Sequence, residues 1–170
     1  MIEKYSIKDG ICVHHTDNRA HLKISDFLKS NKLDKCLILC IGTDRFIGDS
    51  LGPLTGTLLS KLSLPVPILG TLDNPIHAVN LRRVMSHIKT SYKDHKIIAI
   101  DACLGAGKSV GYVHVKEGSI QPGKGVGKRL SHVGDFSIIG VVDEAVESGD
   151  SEYENYIKIS NVRLGLVMKM

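Results

Sequence analysis

The sequence predicts an α/β fold, one domain over 1–170, in which a mostly parallel sheet is sandwiched between helices as a three-layer α/β/α arrangement. Three observations carry this. Apolar runs alternate with amphipathic segments and few residues separate them, the pattern of strands followed by helices. Two of the runs, "KCLILCIG" (35–42) and "KIIAID" (96–101), are nearly continuous in apolar character, as strands covered on both faces are. A length of 170 residues with 42% hydrophobic content is enough for one well-buried core, and no repeat, low-complexity tract or linker divides it.

Taken in order, "SDFLKSN" (25–31) predicts a short helix with Ser25 as its cap, followed by the 35–42 strand. The loop "TDRFIGD" leads into a helix over 50–62, where Pro53 suits the first turn and Leu51, Leu54, Leu58, Leu59 and Leu62 recur at helical spacing. "VPILGTL" (66–72) reads as a strand. The next helix is expected to begin at Asn74-Pro75 and run to about residue 92, with Ile76, Val79, Val84 and Ile88 as its apolar stripe. After the 96–101 strand come a second strand, "SVGYVHV" (109–115), a glycine-rich stretch (118–135), the strand "FSIIGVV" (136–142), an acidic loop (143–155) and a short helical terminus.

Composition narrows the function classes. The net charge of +4 is mild, the lysines are scattered and aromatic residues make up 5%, so nucleic acid is not required as a partner. No apolar run has signal-peptide length at the N-terminus, and none approaches the ~20 residues that span a bilayer, so a cytoplasmic, membrane-free chain is expected. Four cysteines, Cys12, Cys36, Cys40 and Cys103, show no CxxC spacing. Cys36 and Cys40 read as reduced core residues. Cys103 reads as packing rather than as a nucleophile, because nothing cationic lies beside it in sequence. The oligomeric state stays open, a homo-oligomer included.

"IIAIDACLGAGKSVGYVHV" (97–115) resembles a phosphate loop with Ala102 in place of the first glycine, ahead of Gly107-Lys108-Ser109. Such a loop needs a helix after it, whose free N–H groups face the phosphates. Here the β-branched Val113 and Val115 follow Gly111, so a second strand is expected, and a nucleotide-binding module is the weakest of three functional readings.

Ligands of open α/β sheets gather outside the carboxyl ends of the strands. Two aspartates fall there: Asp49, in the loop after the 35–42 strand, and Asp101, closing the 96–101 strand. Two carboxyls facing one cleft do not both ionise cheaply, so one keeps a proton near neutral pH, and the pair can activate a water while donating a proton. That chemistry suits amide hydrolysis. The plainer alternatives are a helix cap at Asp49 and a structural hydrogen bond at Asp101.

The segments "GTDRFIGDSLGP" and "IIAIDA…IQPGKGVGKR" resemble the spore germination protease and, more closely, sporulation proteins of the YyaC type, over about residues 35–142. The same spacing resembles the nickel-hydrogenase maturation endopeptidases, with their phosphorylase/hydrolase-like three-layer fold. The maturation enzymes imply a metal site formed by Asp49, Asp101 and His132, and hence a divalent ion. The germination protease implies a metal-free pair, Asp49 and Asp101. The chain departs from both: it is much shorter than the germination protease, and Gly48 stands where the maturation enzymes place an acidic residue.

In "PGKGVGKR" the glycines Gly123, Gly125 and Gly127 allow close approach to a ligand, and Lys124, Lys128 and Arg129 offer charge to an acidic or phosphate group. Gly125, Gly127, Lys128 and Arg129 are therefore candidate substrate-binding residues, with a flexible surface loop as the alternative. His77 is a weaker ligand candidate than His132, and His14-His15 are expected to be solvated. The leading expectation is a peptidase of sporulation or germination with a protein or peptide substrate. A binding or regulatory protein that keeps the fold without turnover is the alternative.

Overall fold

The computed structural model describes residues 10–123, 131–145 and 164–170. Its centre is a mixed six-stranded sheet in the order β1-β5-β6-β4-β2-β3. The strands are β1 (Ile11–His14), β2 (Cys36–Cys40), β3 (Ile68–Leu69), β4 (Lys96–Gly105), β5 (Tyr112–Glu117) and β6 (Phe136–Glu144). The helices are α1 (Ala20–Ser30), α2 (Leu51–Ser60), α3 (Leu81–Ser91) and the single turn α4 (Leu164–Val167).

The α/β class is as expected, but the sheet is not mostly parallel. The β2/β3, β2/β4 and β4/β6 ladders are parallel, whereas β1/β5 and β5/β6 are antiparallel. The reason lies in the connection from β4 to β5. Residues 106–111 are too few for a parallel crossover, which takes a dozen or more, so the chain reverses and β5 enters against β6.

Side chains alternate between the faces of each strand, and the two faces carry separate apolar clusters. On one, Leu37, Leu39 and Ala99 pack with Leu81 and Ile88 of α3. On the other, Ile98, Val113 and Val115 pack with Phe27 of α1, and Ile24 and Leu28 pack against the same cluster. Strands covered on both sides explain why β2 and β4 read as continuous apolar runs rather than alternating ones.

Several element boundaries differ from expectation, β3 among them, which spans only Ile68–Leu69 of the expected 66–72. α1 starts five residues before Ser25, because the Asp17 side chain accepts the Arg19 N–H at 2.9 Å and its carbonyl accepts the Ala20 N–H, which turns the chain into the helix there. Ser25 lies inside the helix and does not cap it. α3 starts at Leu81 instead of Asn74-Pro75. The Asn80 side chain accepts the His77 N–H and donates to the Pro75 carbonyl, both at 2.9 Å, which holds 75–80 as a loop, while Ile76 bridges Ile41 and Val79 is left 80% exposed. β4 runs on to Gly105, so Asp101 sits within the strand and does not close it. β1 was not marked by the sequence at all. It joins β5 through Ile11–His14, and His14 is half-buried, its ring 4.8 Å from that of Tyr112.

Candidate active site

β2 ends at Cys40, and the next N–H, of Ile41, still donates to the Ile100 carbonyl of β4 at 2.8 Å. From there the chain turns sharply. Gly42 has a φ of +139°, a value that side-chain-bearing residues rarely adopt, and a Cβ on it would run into the Asp49 carbonyl oxygen. Its N–H donates to the Ile76 carbonyl at 2.7 Å, and the Thr43 N–H donates to the Asp49 carbonyl at 3.0 Å. A 3-10 turn, Ile47–Asp49, then hands over to α2. Gly52, in the first turn of α2, lies so close to β2 that a Cβ would strike the Ile41 carbonyl. These contacts press the start of α2 onto the end of β2 and set Asp49 beside β4.

Asp101 is one residue beyond Ile100, opposite Ile139 of β6, and is 8% exposed. Its Oδ1 accepts the Ala102 N–H at 2.9 Å. Burial raises the Asp101 carboxyl well above the ordinary carboxylate range, and the negative charge of Asp49 raises it further. Burial pushes Asp49 up to about 6, against a smaller lowering from the Thr43 backbone. The asymmetry has a simple physical origin. Asp49 ionises first, beside a neighbour still holding its proton, and only Asp101 must lose a proton next to a negative charge. Asp49, in the turn after β2, and Asp101, within β4, are thus near enough for the charge of the first to act on the second.

Cys103, two residues along β4, shares the Asp101 side of the strand. Burial, and then the Asp101 charge, push its thiol up to about 11, so it is a neutral thiol near neutral pH, in keeping with packing rather than nucleophilic attack. His77 follows Ile76, the partner of Ile41, at the same end of β2 as Asp49, and its Nδ1 accepts the Val79 N–H at 3.3 Å.

The expected triad of Asp49, Asp101 and His132 does not assemble. β6 runs parallel to β4 with Phe136 opposite Ile98, so the chain just before Phe136 lies toward the amino ends of these strands, whereas Asp101 lies toward their carboxyl ends. His132 is exposed there, its Nδ1 3.3 Å from Ser119 Oγ, and it lines a pocket together with residues of α3. Among the described residues, no group of three or more His, Cys, Asp or Glu side chains is placed to hold a metal ion. Gly125, Gly127, Lys128 and Arg129 lie outside the described residues.

The phosphate-loop question resolves as the sequence predicts, with β5 starting slightly later. Gly107–Ser109 form a 3-10 turn with Lys108 exposed, and the strand β5 follows from Tyr112, so no helix N-terminus faces that turn.

Two positioning residues were not singled out from the sequence, Gly42 and Gly52. The available signal was a glycine directly after a buried strand and another beside a helix-starting proline, in "IGTDRFIGDSLGP". Among the described residues no helix is long and apolar enough to cross a membrane.

With this geometry in view, comparison with known proteins places the chain. It is similar to the uncharacterized protein YyaC of Bacillus subtilis (strain 168), 41% identical over 163 residues, which cover 93% of this chain and 77% of that protein. No solved structure matches it. The model of the family described as "Protein of unknown function (DUF1256)" matches residues 12–170, and the chain belongs to that family.

Proposed function

We infer that the chain is a peptidase whose working groups are the Asp49 and Asp101 carboxyls. The observation that carries this reading is the placement of two acids: Asp101 is buried within β4, and Asp49 ends the turn that follows β2, the strand paired with β4, near enough for its charge to raise the Asp101 carboxyl. Asp49, at about 6, is largely ionised at neutral pH, and Asp101, raised by burial and by that charge, gives up its proton less readily than Asp49 does, which suits the first to act as general base and the second as general acid. Asp49 takes a proton from water as its oxygen attacks the amide carbonyl carbon. Asp101 gives its proton to the departing nitrogen as the C–N bond breaks. Transfer of the proton from Asp49 to Asp101 then restores the starting state.

The resemblance of "GTDRFIGDSLGP" and "IIAIDA" to the spore germination protease and the hydrogenase maturation endopeptidases supports a protein or peptide substrate, a role in sporulation or germination, and a cytoplasmic location. Helices packed on both faces of the sheet support the three-layer, hydrolase-like arrangement. The metal-free form of the pair is the reading adopted, since His132 stands apart from it.

One observation favours the second reading, a binding or regulatory protein without turnover: Asp101 is only 8% exposed and its Oδ1 is already engaged by its neighbour's N–H. The deciding experiment incubates the protein with a proteome-derived peptide library and maps new termini by mass spectrometry. Wild type should generate them, with a bell-shaped pH dependence whose lower limb lies near 6, and Asp101→Asn and Asp49→Asn should not. Cleavage by wild type and Asp101→Asn alike removes the acid pair from the mechanism. No cleavage by wild type leaves the binding reading.

A further inference from the structure

A pocket of about 210 Å³ separates α3 from the turn at 131–133, away from the aspartate pair. Arg82, Ser86 and Lys89 reach it from α3, and Ser131 and His132 face them. Residues 82, 86 and 89 follow the i, i+4, i+7 spacing that places side chains on one helical stripe, so two cations stand about 10 Å apart along the axis with a hydroxyl between them. Met85 forms part of the apolar floor.

Among the described residues no acidic side chain lines this pocket, and α3 itself, "LRRVMSHIKTS", contains none. Among the described residues the ion pairs are Lys23–Asp17 and Lys96–Asp135, and neither involves Arg82 or Lys89. His132 adds an imidazole, which can donate through a ring N–H, and its Nδ1 lies 3.3 Å from Ser119 Oγ. Two cations, two hydroxyls and an imidazole around one concavity are the donor set that binds a carboxylate or a phosphate, with charge-assisted hydrogen bonds supplying the strength.

We propose that the pocket between α3 and the 131–133 turn is an oxyanion site, taking the side-chain carboxylate of an acidic peptide or a phosphate group. The site is independent of the aspartate pair and its chemistry. Binding alone tests it, so its failure leaves the peptidase reading untouched.

The experiment titrates the full chain at low salt with two probes, a fluorescein-labelled hexaglutamate peptide and inorganic phosphate. Saturable binding of at least one probe is expected, weakened about tenfold or more in Arg82→Ala/Lys89→Ala, a loss of about 1.4 kcal/mol. Both residues are exposed, so the variant should melt as wild type does. The control Lys29→Ala/Lys61→Ala removes the same charge from exposed positions at the ends of α1 and α2 and should leave binding within about twofold. His132→Ala should weaken binding through loss of the ring N–H donor. Saturation by phosphate identifies a phosphate source, and saturation by the peptide alone identifies a carboxylate source. The proposal is overturned if neither probe saturates, or if the control pair weakens binding as much as the pocket pair.

Discussion

Replacing Asp49 by Asn should make the protein more stable at neutral pH and inactive at once. The carboxyl rises from an ordinary 3.8 to about 6 on folding, chiefly because burial disfavours the charged form. At about 1.36 kcal/mol per pKa unit, keeping it ionised costs the native state up to about 3 kcal/mol. The sign follows from proton counts. Between pH 3.8 and about 6 the native state binds more protons than the unfolded chain, so stability falls as pH rises through this window, and the full cost is present above it. Asn has nearly the same shape and no charge to desolvate. For a chain of 170 residues, 3 kcal/mol corresponds to about 6–12 °C in Tm. Removing the Asp49 charge also eases ionisation of Asp101, an effect of the same sign at high pH. Thermal and urea unfolding of wild type and Asp49→Asn from pH 3.5 to 8 measures this. The two curves should converge at the acid end and separate as pH rises. A variant no more stable than wild type at pH 8, or equally stabilised at pH 3.5, would refute the reasoning.

Other outcomes follow from particular contacts. Gly52→Ala places a Cβ against the Ile41 carbonyl, backbone against backbone, so the overpacking cost of about 1–3 kcal/mol should exceed the ~1 kcal/mol that alanine gains in a helix, and urea titration should show net destabilisation. Cys103, pushed up to about 11, should react with iodoacetamide at pH 7.5 far more slowly in the native protein than in urea, with Cys40, pushed up to about 12, slower still; mass spectrometry of the alkylated peptides reads both. Lys108→Ala should leave ATP and GTP titrations identical to wild type, because a strand follows its turn; a saturable isotherm lost in the variant would reinstate the phosphate loop.

Much of the sheet and half of the site were legible from residue order. β2, β4 and β6 are buried on both faces, which forces continuous apolar runs that no other local pressure produces. An aspartate in or directly after such a run needs a reason to be there, so Asp101 stood out against "IIAI", and Asp49 did so as the acid at the start of α2. β1 did not stand out because only four residues pair, at an edge, and Val13 alone among them is fully buried. The start of α3 misled because Asn74-Pro75 is a valid local start signal, and what cancels it is the Asn80 side chain spent on Pro75 and His77.

By itself, then, the order of residues determined the α/β class, the principal strands and the strand after Lys108, and it marked Asp49 and Asp101 as candidates, because each depends on local propensity and on whether a run is buried. Tertiary structure alone decided the antiparallel entry of β5, the parting of His132 from the acids, the closeness of α2 to β2 at Gly52, and the burial that raises the Asp49 and Asp101 carboxyls. Each of these depends on which distant segments share a face or an end of the sheet. Burial and charge act through space, and that neighbourhood exists only once β4 lies between β2 and β6.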